Sequence, residues 1–470
     1  MLTSSATPIP ITIPAAAHAH DDYDYHNETI HCKYPRPVEQ IRKESYPHMA
    51  DNVYLDHAGM TIYSKELVLA SSEMLLKNLF GNSHSHSGPS TRSENVTQKT
   101  RNQVLQMFSA DPKVFDVAFT LNATHAIKTV GLCFKDCFDD FDYFYNLNCH
   151  TSVVGVRELA SKSTSFNDMD DLNLESDKQC LISWTGQSNL NGERYPINEW
   201  NKEIKDRSPT SYTLLDAASL STTAPPDLSD HETFPDFMAV SFYKMFGMPD
   251  IGGLIFKKEA AKKILPHKKY FGGGTVDAVA LDIPYKEFKD DLYSIVEEGT
   301  LPIHSIVQLS EAIRIHNSIY GSYKNISSYV KELTQYAIRR LQSLTYKSTG
   351  APMVVIHSPN LPNQGPIIAF SLRNSKNEAI GYFDFEESVS LGGLSVRSGG
   401  MCNVGGIQKW LGRDTNDIIR DYNAGHTCGG AMDIVDGKPT GLLRVSFGAM
   451  SLKEEVDTLV DRIVDFLKNY

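Results

Sequence analysis

The sequence predicts an α/β protein: a parallel or mixed sheet with covering helices, followed by a second, smaller α+β domain. Strand-like and helix-like pieces alternate from about residue 114 to 256. A long stretch with helical apolar spacing, Glu311 to Ser343, then leads to further strand-like runs and a terminal helix. Hydrophobic residues make up 41% and charged residues 22% of 470 residues, which is enough for a sizeable core.

The elements follow in order. Residues 1 to about 48 are rich in Pro, Ala, His and Asp, show little periodicity, and read as a mostly disordered leader. Asn52 to Asp56 is a short strand. Ser64 to Phe80 has helical spacing (Leu67, Met74, Leu75) and stops at Gly81-Asn82. Gly81 to Ser93 is a polar loop, followed by a helix through Val96, Val104, Leu105 and Phe108. The alternating region comprises a strand Val114 to Thr120, a helix Ala123 to Leu132, a strand Phe141 to Asn146 and a helix Ser152 to Ser161. Strands follow at Thr213 to Leu215, Phe237 to Phe242 and Gly253 to Phe256. The smaller domain holds strands at Met353 to Ile356 and Ile367 to Phe370, and the helix Glu454 to Asn469.

Composition narrows the function classes. Net charge is −12, which argues against a general binder of nucleic acid or anionic membrane. No apolar run approaches the ~20 residues needed to cross a bilayer. The N-terminus has neither a basic start nor an unbroken apolar core, as a signal peptide requires. The seven cysteines are an odd number in a long chain, so no disulfide framework is implied. Cys133 and Cys137 are four apart, but no second Cys/His pair stands near them at zinc spacing, so they read as buried thiols and no metal site is expected. These features point to a reducing, cytoplasmic setting.

The chemistry-bearing residues sit at predicted strand ends. In Ser241-Phe242-Tyr243-Lys244-Met245-Phe246-Gly247 one lysine follows a strand, where it can reach a ligand in the crevice beyond the sheet. Partial desolvation lowers a lysine's pKa and makes it a Schiff-base nucleophile. Upstream, Leu214-Leu215-Asp216 ends a strand in an acid of the kind that pairs with a protonated pyridine nitrogen. Phe119 to Ala126 is a strand-to-helix junction where Ala123, Thr124 and first-turn N–H groups can hold a phosphate. His150 follows the next strand and can stack on a planar ring. In Arg397-Ser398-Gly399-Gly400-Met401-Cys402-Asn403-Val404-Gly405-Gly406, glycines surround one cysteine, which implies a mobile loop with an accessible thiol. Arg397 can form a bidentate pair with a substrate carboxylate. Cys428, also flanked by glycines, is the rival thiol.

Taken together, these residues resemble class V aminotransferase-type enzymes of pyridoxal-phosphate fold type I, close to the cysteine desulfurases and, more specifically, to the aminotransferase-like part of the molybdenum cofactor sulfurases. The resemblance rests on Tyr54 to Gly59, Phe119 to Thr124, His150 to Gly155, Leu215 to Ala218, Ser241 to Gly247, Tyr270 to Thr275 and Phe447 to Ser451. The tract Gly425 to Cys428 with Asp433 to Gly441 marks the sulfurase branch. The resemblance implies a mostly parallel, seven-stranded mixed sheet in a large domain, 49–310, to whose smaller neighbour the N-terminal segment contributes. It implies a small domain, 311–470, carrying the cysteine loop.

It further implies that Lys244 binds pyridoxal 5'-phosphate covalently and moves the substrate's Cα proton. Asp216 would pair with the ring nitrogen and His150 would stack on the ring. Thr124, Ala123, Ser241 and Thr275 of a partner subunit in a homodimer would hold the phosphate. Arg397 would hold the carboxylate of L-cysteine, and Cys402 would take its sulfur as a persulfide, releasing alanine. Molybdenum cofactor would be the acceptor; a free-standing cysteine desulfurase serving another acceptor is the alternative. Departures from the family pattern are Gly400 and Val404, where the sulfurase branch often has Cys and Pro. The family's eukaryotic sulfurases also carry a second domain after this one, and here the chain ends at Tyr470.

Overall fold

A computed structural model describes residues 28–174, 178–357, 363–468 and 470. The central sheet has seven strands: β1 Phe115–Thr120, β2 Phe141–Asn146, β3 Lys162–Phe166, β4 Gln179–Thr185, β5 Tyr212–Asp216, β6 Phe237–Ser241 and β7 Gly252–Lys257. Their spatial order is β1-β7-β6-β5-β4-β2-β3. Pairing is parallel from β6 across to β3, and only β7 runs against its neighbours β1 and β6. This is the mixed, mostly parallel sheet that the sequence predicted.

Parallel strands covered on both faces are apolar throughout, and alternate side chains go to opposite layers. Ile182, Trp184, Leu215, Met238, Val240 and Ile255 join one core; Leu181, Leu214, Phe237, Ala239, Leu254 and Phe256 join the other. The strands β3 and β4 were absent from the sequence reading. β3 is an edge strand, Lys-Ser-Thr-Ser-Phe, exposed along four of its five residues and so without an apolar signal. β4 is a continuous buried run that shows no alternation.

A second sheet comprises β8 Val354–Ile356, β9 Ile367–Arg373, β10 Arg397–Gly399 and β11 Leu442–Ser446, ordered β8-β9-β11-β10 and antiparallel throughout, with Ala379–Ile380 paired to β9. Val53–Tyr54 pairs in parallel with Leu394–Ser395, and Asp56 bridges Ser446, so the start of the chain lies against this later unit. Residue 57 fits tightly there: a Cβ on Gly448 would come within 2.5 Å of the His57 ring.

The helices differ from expectation in four places. α1 Val38–Ser45 lies inside the expected leader. Tyr34, Val38, Ile41, Tyr46 and Met49 are all buried, and the Tyr34 hydroxyl donates to the Ala449 carbonyl at 3.0 Å. Arg42, also buried, pairs with Glu455 at 2.8 Å. Sparse apolar residues at helical spacing thus dock residues 34–49 onto the C-terminal helix Lys453–Leu467 and the turn before it; residues 1–27 of the leader lie outside the described residues. α2 Lys65–Lys77 is capped by Ser64, and α3 Gly88–Met107 takes in the second half of the expected polar loop because Ser87 caps it and Pro89 occupies its first turn. The long helical stretch is two helices, α4 Ile303–Tyr320 and α5 Tyr323–Gln342, parted by Gly321 at φ +76° and the capping Ser322. The expected helix at 152–161 is one α-turn, Thr151–Val154, continued as a 3-10 turn, Gly155–Leu159.

Ile41 is fully buried, so Ile41→Ala is expected to cost about 2–5 kcal/mol in urea unfolding. Unchanged stability would mean that α1 does not hold the fold. Burial lowers the His57 pKa from 6.5 to about 3. The unfolded chain therefore takes up a proton that the folded one refuses, and stability falls as pH drops from 6.5 toward about 3. His57→Gln is expected to flatten that slope by up to about 1.4 kcal/mol per pH unit, read from denaturant titrations across this window.

Candidate active site

The register of the sheet sets Thr185 and Asp216, the last residues of β4 and β5, beside Ala239, two residues before the end of β6. Each strand there passes into a turn that carries a functional side chain. After β6 the five-residue helix Phe242–Phe246 presents Lys244 and closes on Gly247 at φ +76°. A Cβ on Gly247 would stand 2.3 Å from the Tyr63 nitrogen, so no other residue fits that close approach. After β1, Asn122 caps the helix Ala123–Cys137 by accepting from the His125 N–H. Its backbone rests on Gly252 of β7, where a Cβ would come within 2.6 Å of Asn122.

These turns enclose a cavity of about 440 Å³, counting its open mouth, lined by Ala123, Thr124, His150, Asp216, Ser241 and Lys244 among others. Six of the sequence-predicted residues therefore converge. The Ser241 hydroxyl accepts the Ala123 N–H at 3.0 Å. The Thr124 and Ser152 hydroxyls lie 2.7 Å apart. The Ser152 N–H donates to His150 Nδ1 at 3.1 Å, which makes Nδ1 an acceptor and leaves the proton of a neutral ring on Nε2. Asp216 is buried, and one of its oxygens accepts the Ala218 N–H at 3.0 Å. Burial lowers the pKa of both Lys244 and His150, and the Asp216 charge opposes that shift in each.

Thr275 is not among the residues lining the cavity. It is fully buried, and its hydroxyl donates to the Gly272 carbonyl at 2.8 Å.

Cys402 is exposed, in a turn whose two middle residues, Met401 and Cys402, have φ of 53° and 51°. The Thr151 N–H donates to the Cys402 carbonyl at 2.8 Å, which ties this turn to the residue after His150. Asn189, itself at the cavity, donates to the Met401 carbonyl at 2.7 Å. Asn403 is fully buried and donates to the side-chain oxygens of Asn148 at 3.0 Å and Asn189 at 3.2 Å. The mobile loop read from the glycines is thus open on one side only. A Cβ on Gly399 or Gly400 would meet nothing, whereas one on Gly405 would stand 2.2 Å from the Leu147 carbonyl oxygen.

Arg397 reaches Asp56. Its Nε donates to Asp56 Oδ2 at 2.8 Å, and Nη2 forms an ion pair with the same oxygen at 2.8 Å. Buried Arg444 donates to Asp56 Oδ1 at 2.5 Å and to the Asn189 carbonyl at 2.8 Å. All three charges act on the Lys244 amine.

The class V aminotransferase family model matches residues 53–459. The chain belongs to the class V aminotransferase family. It is 41% identical over 455 residues to a molybdenum cofactor sulfurase of Aspergillus fumigatus, covering 92% of this chain and 54% of that protein. With a molybdenum cofactor sulfurase of Chaetomium globosum it shares 38% identity over 463 residues, 94% of this chain and 59% of the relative. The chain thus spans little more than half the length of these curated relatives. Among solved structures, the cysteine desulfurase CsdA of Escherichia coli superposes with a TM-score of 0.72 at 19% identity, over 92% of this chain and 99% of that one. A cysteine desulfurase of Thermococcus onnurineus NA1 gives 0.72 at 20% identity, over 94% and 100%. At such identity these two show the shared fold, the pyridoxal-phosphate fold type I that the resemblance implied.

In this class V aminotransferase chain the sequence reading assigned no role to Asp56, Arg444, Asn189, Asn403 or Ser152. Asn189 and its neighbours carried a legible signal, a polar Ser-Asn-Leu-Asn-Gly run soon after the end of an apolar segment. Asp56 and Arg444 gave none, because their meaning lies in a contact across 388 residues.

Lys244 is expected to be the amine that reacts with pyridoxal phosphate near neutral pH, because its depressed pKa leaves more of it unprotonated than of a surface lysine. Borohydride reduction and peptide mapping check this. A label on Lys257 or Lys258, or a visible band that survives in Lys244→Ala, would refute it.

Proposed function

We infer that this chain binds pyridoxal 5'-phosphate and uses it to move sulfur from L-cysteine onto Cys402, for delivery to molybdenum cofactor. The observation that carries the reading is the single cavity joining a desolvated lysine, a buried carboxylate and a histidine, with Cys402 hydrogen-bonded beside that histidine. The residues fit the cofactor: an amine for its aldehyde, an acid for its ring nitrogen, a flat imidazole, and the Thr124 and Ser241 hydroxyls beside a helix N-terminus whose first-turn N–H groups lack intrahelical acceptors. The acceptor assignment is supported by the molybdenum cofactor sulfurases that the chain resembles over most of its length.

Bound pyridoxal phosphate supplies an electron sink for charge that develops at the substrate's Cα. The protein's own residues do the rest. Asp216, held in place by the Ala218 N–H, keeps a negative charge where a protonated ring nitrogen would lie. Lys244, its pKa lowered, holds or accepts the Cα proton as a free amine. Arg397 receives the substrate carboxylate. The Cys402 thiolate attacks the substrate sulfur; an S–S bond forms as the Cβ–S bond breaks, and the electron pair of the broken bond stays with Cβ and takes up a proton. L-Cysteine and the Cys402 thiol thus become L-alanine and a Cys402 persulfide, with atoms and electrons balanced.

We place the active chain in the cytoplasm and in a homodimer, with the Gly273-Gly274 turn, exposed at Gly273, rather than the buried Thr275 hydroxyl, facing the neighbour's phosphate. Neither a membrane-spanning helix nor a metal-ligand cluster occurs among the described residues.

Cys402→Ser is expected to keep the visible band of the bound cofactor and to lose persulfide and alanine formation by at least about 100-fold, since a hydroxyl cannot carry sulfur. Cys428→Ser is expected to stay near wild type. The reverse pattern would transfer the role to Cys428. Sulfur incorporated into molybdenum cofactor, followed beside alanine release, tests the acceptor: alanine without cofactor sulfuration would sink that half of the reading.

A further inference from the structure

The Arg397 guanidinium has two hydrogen-bonding edges, and the structure commits one of them. On its side edge Nε–H donates to Asp56 Oδ2 at 2.8 Å, and Nη2 stands in ion-pair contact with the same oxygen at 2.8 Å. Five N–H donors are available, so four remain outside that hydrogen bond, including the end-on pair of Nη1–H and Nη2–H that suits a bidentate carboxylate. The Arg397 side chain is 50% exposed, whereas Asp56 and Arg444 are 9% and 3% exposed. Arg444 therefore offers its charge but no exposed edge: it is buried, with Nη2 donating to Asp56 and Nη1 to the Asn189 carbonyl. Two arginines against one aspartate leave this triad with one net positive charge, presented on the open edge of Arg397.

We propose that Asp56 is a positioning residue for substrate selection: it fixes which edge of half-exposed Arg397 is left open, while buried Arg444 cancels the Asp56 charge so that Arg397 still attracts an amino acid's carboxylate. This rests on the reading of Arg397 as the carboxylate binder. Gly59 belongs to the same device. A Cβ there would lie 2.6 Å from Asp56 Oδ2 and 3.0 Å from Arg397 Nη2, so even alanine would push the pair apart without changing any charge.

The two physical roles of Asp56 predict opposite signs. If only its charge mattered, removing that charge would make the site more positive and tighten carboxylate binding. If it orients Arg397, removing it weakens that binding. The test titrates cofactor-loaded protein with L-alanine and with L-alaninamide, which lacks the carboxylate, and reads binding from the visible absorbance rather than from turnover. Wild type is expected to favour L-alanine over the amide by about tenfold or more, the worth of a charged bidentate pair. Asp56→Asn and Gly59→Ala are each expected to lower that preference at least about threefold, with Gly59→Ala deciding the matter if Asp56→Asn fails to fold. A preference that is unchanged in Gly59→Ala, or that rises in Asp56→Asn, overturns the proposal. Arg397→Ala separates the two levels: if it keeps the wild-type preference, Arg397 is not the carboxylate binder and the underlying reading fails as well.

Discussion

The register of the parallel strands is the constraint from which the site follows. Thr185, Asp216 and Ala239 stand abreast because β4, β5 and β6 pair without offset at these positions. A slip of one residue would turn every side chain to the opposite face and carry Asp216 out of the cavity. The alternation of two buried layers prevents such a slip, since Leu214 and Leu215, or Ala239 and Val240, fill different cores. Packing of ordinary apolar residues thus sets the place of a carboxylate opposite a lysine.

The second constraint is the joining of distant chain segments by polar contacts. Asp56 meets Arg397 and Arg444, Thr151 holds Cys402, and Asn403 is buried against Asn148 and Asn189. Each contact links the second sheet or its loops to the first sheet or to the N-terminal segment. Buried polar groups of this kind are costly unless paired, so each favours one relative placement of the segments it joins. The ion-pair cluster around Asp56 and the turn that carries Cys402 share one intermediary, since Asn189 accepts from Arg444 and donates to the Met401 carbonyl.

Local chemistry in the sequence revealed most of the fold and half of the site. Asp216, Lys244 and Thr124 were legible because a strand ending in a polar turn is a short-range pattern. Strand β3 escaped notice because Ser and Thr on an exposed edge carry no hydrophobic period, and α1 because four or five apolar side chains in a polar stretch are enough to dock a helix but too few to mark one. Asn403 appeared only as a neighbour of Cys402, although its side chain both caps the helix Val404–Leu411 and pins the turn. Such roles depend on partners far away in sequence, which no window over neighbouring residues can contain.

If Cys402 carries sulfur as proposed, the anchoring of its turn bears on how that sulfur leaves the protein. With its carbonyl held by Thr151 and the next side chain buried, the Cys402 thiol has the reach of its own rotamers and little more. A long swinging arm can search for an acceptor in solution, but a short tethered thiol cannot. Delivery would then become a problem of shape: the acceptor, or the protein surface that presents it, has to approach within bonding distance of a nearly fixed, exposed point. Specificity at that stage is exercised by the contours around Cys402, so substitutions there can alter which acceptor is served without touching the chemistry that loads the sulfur.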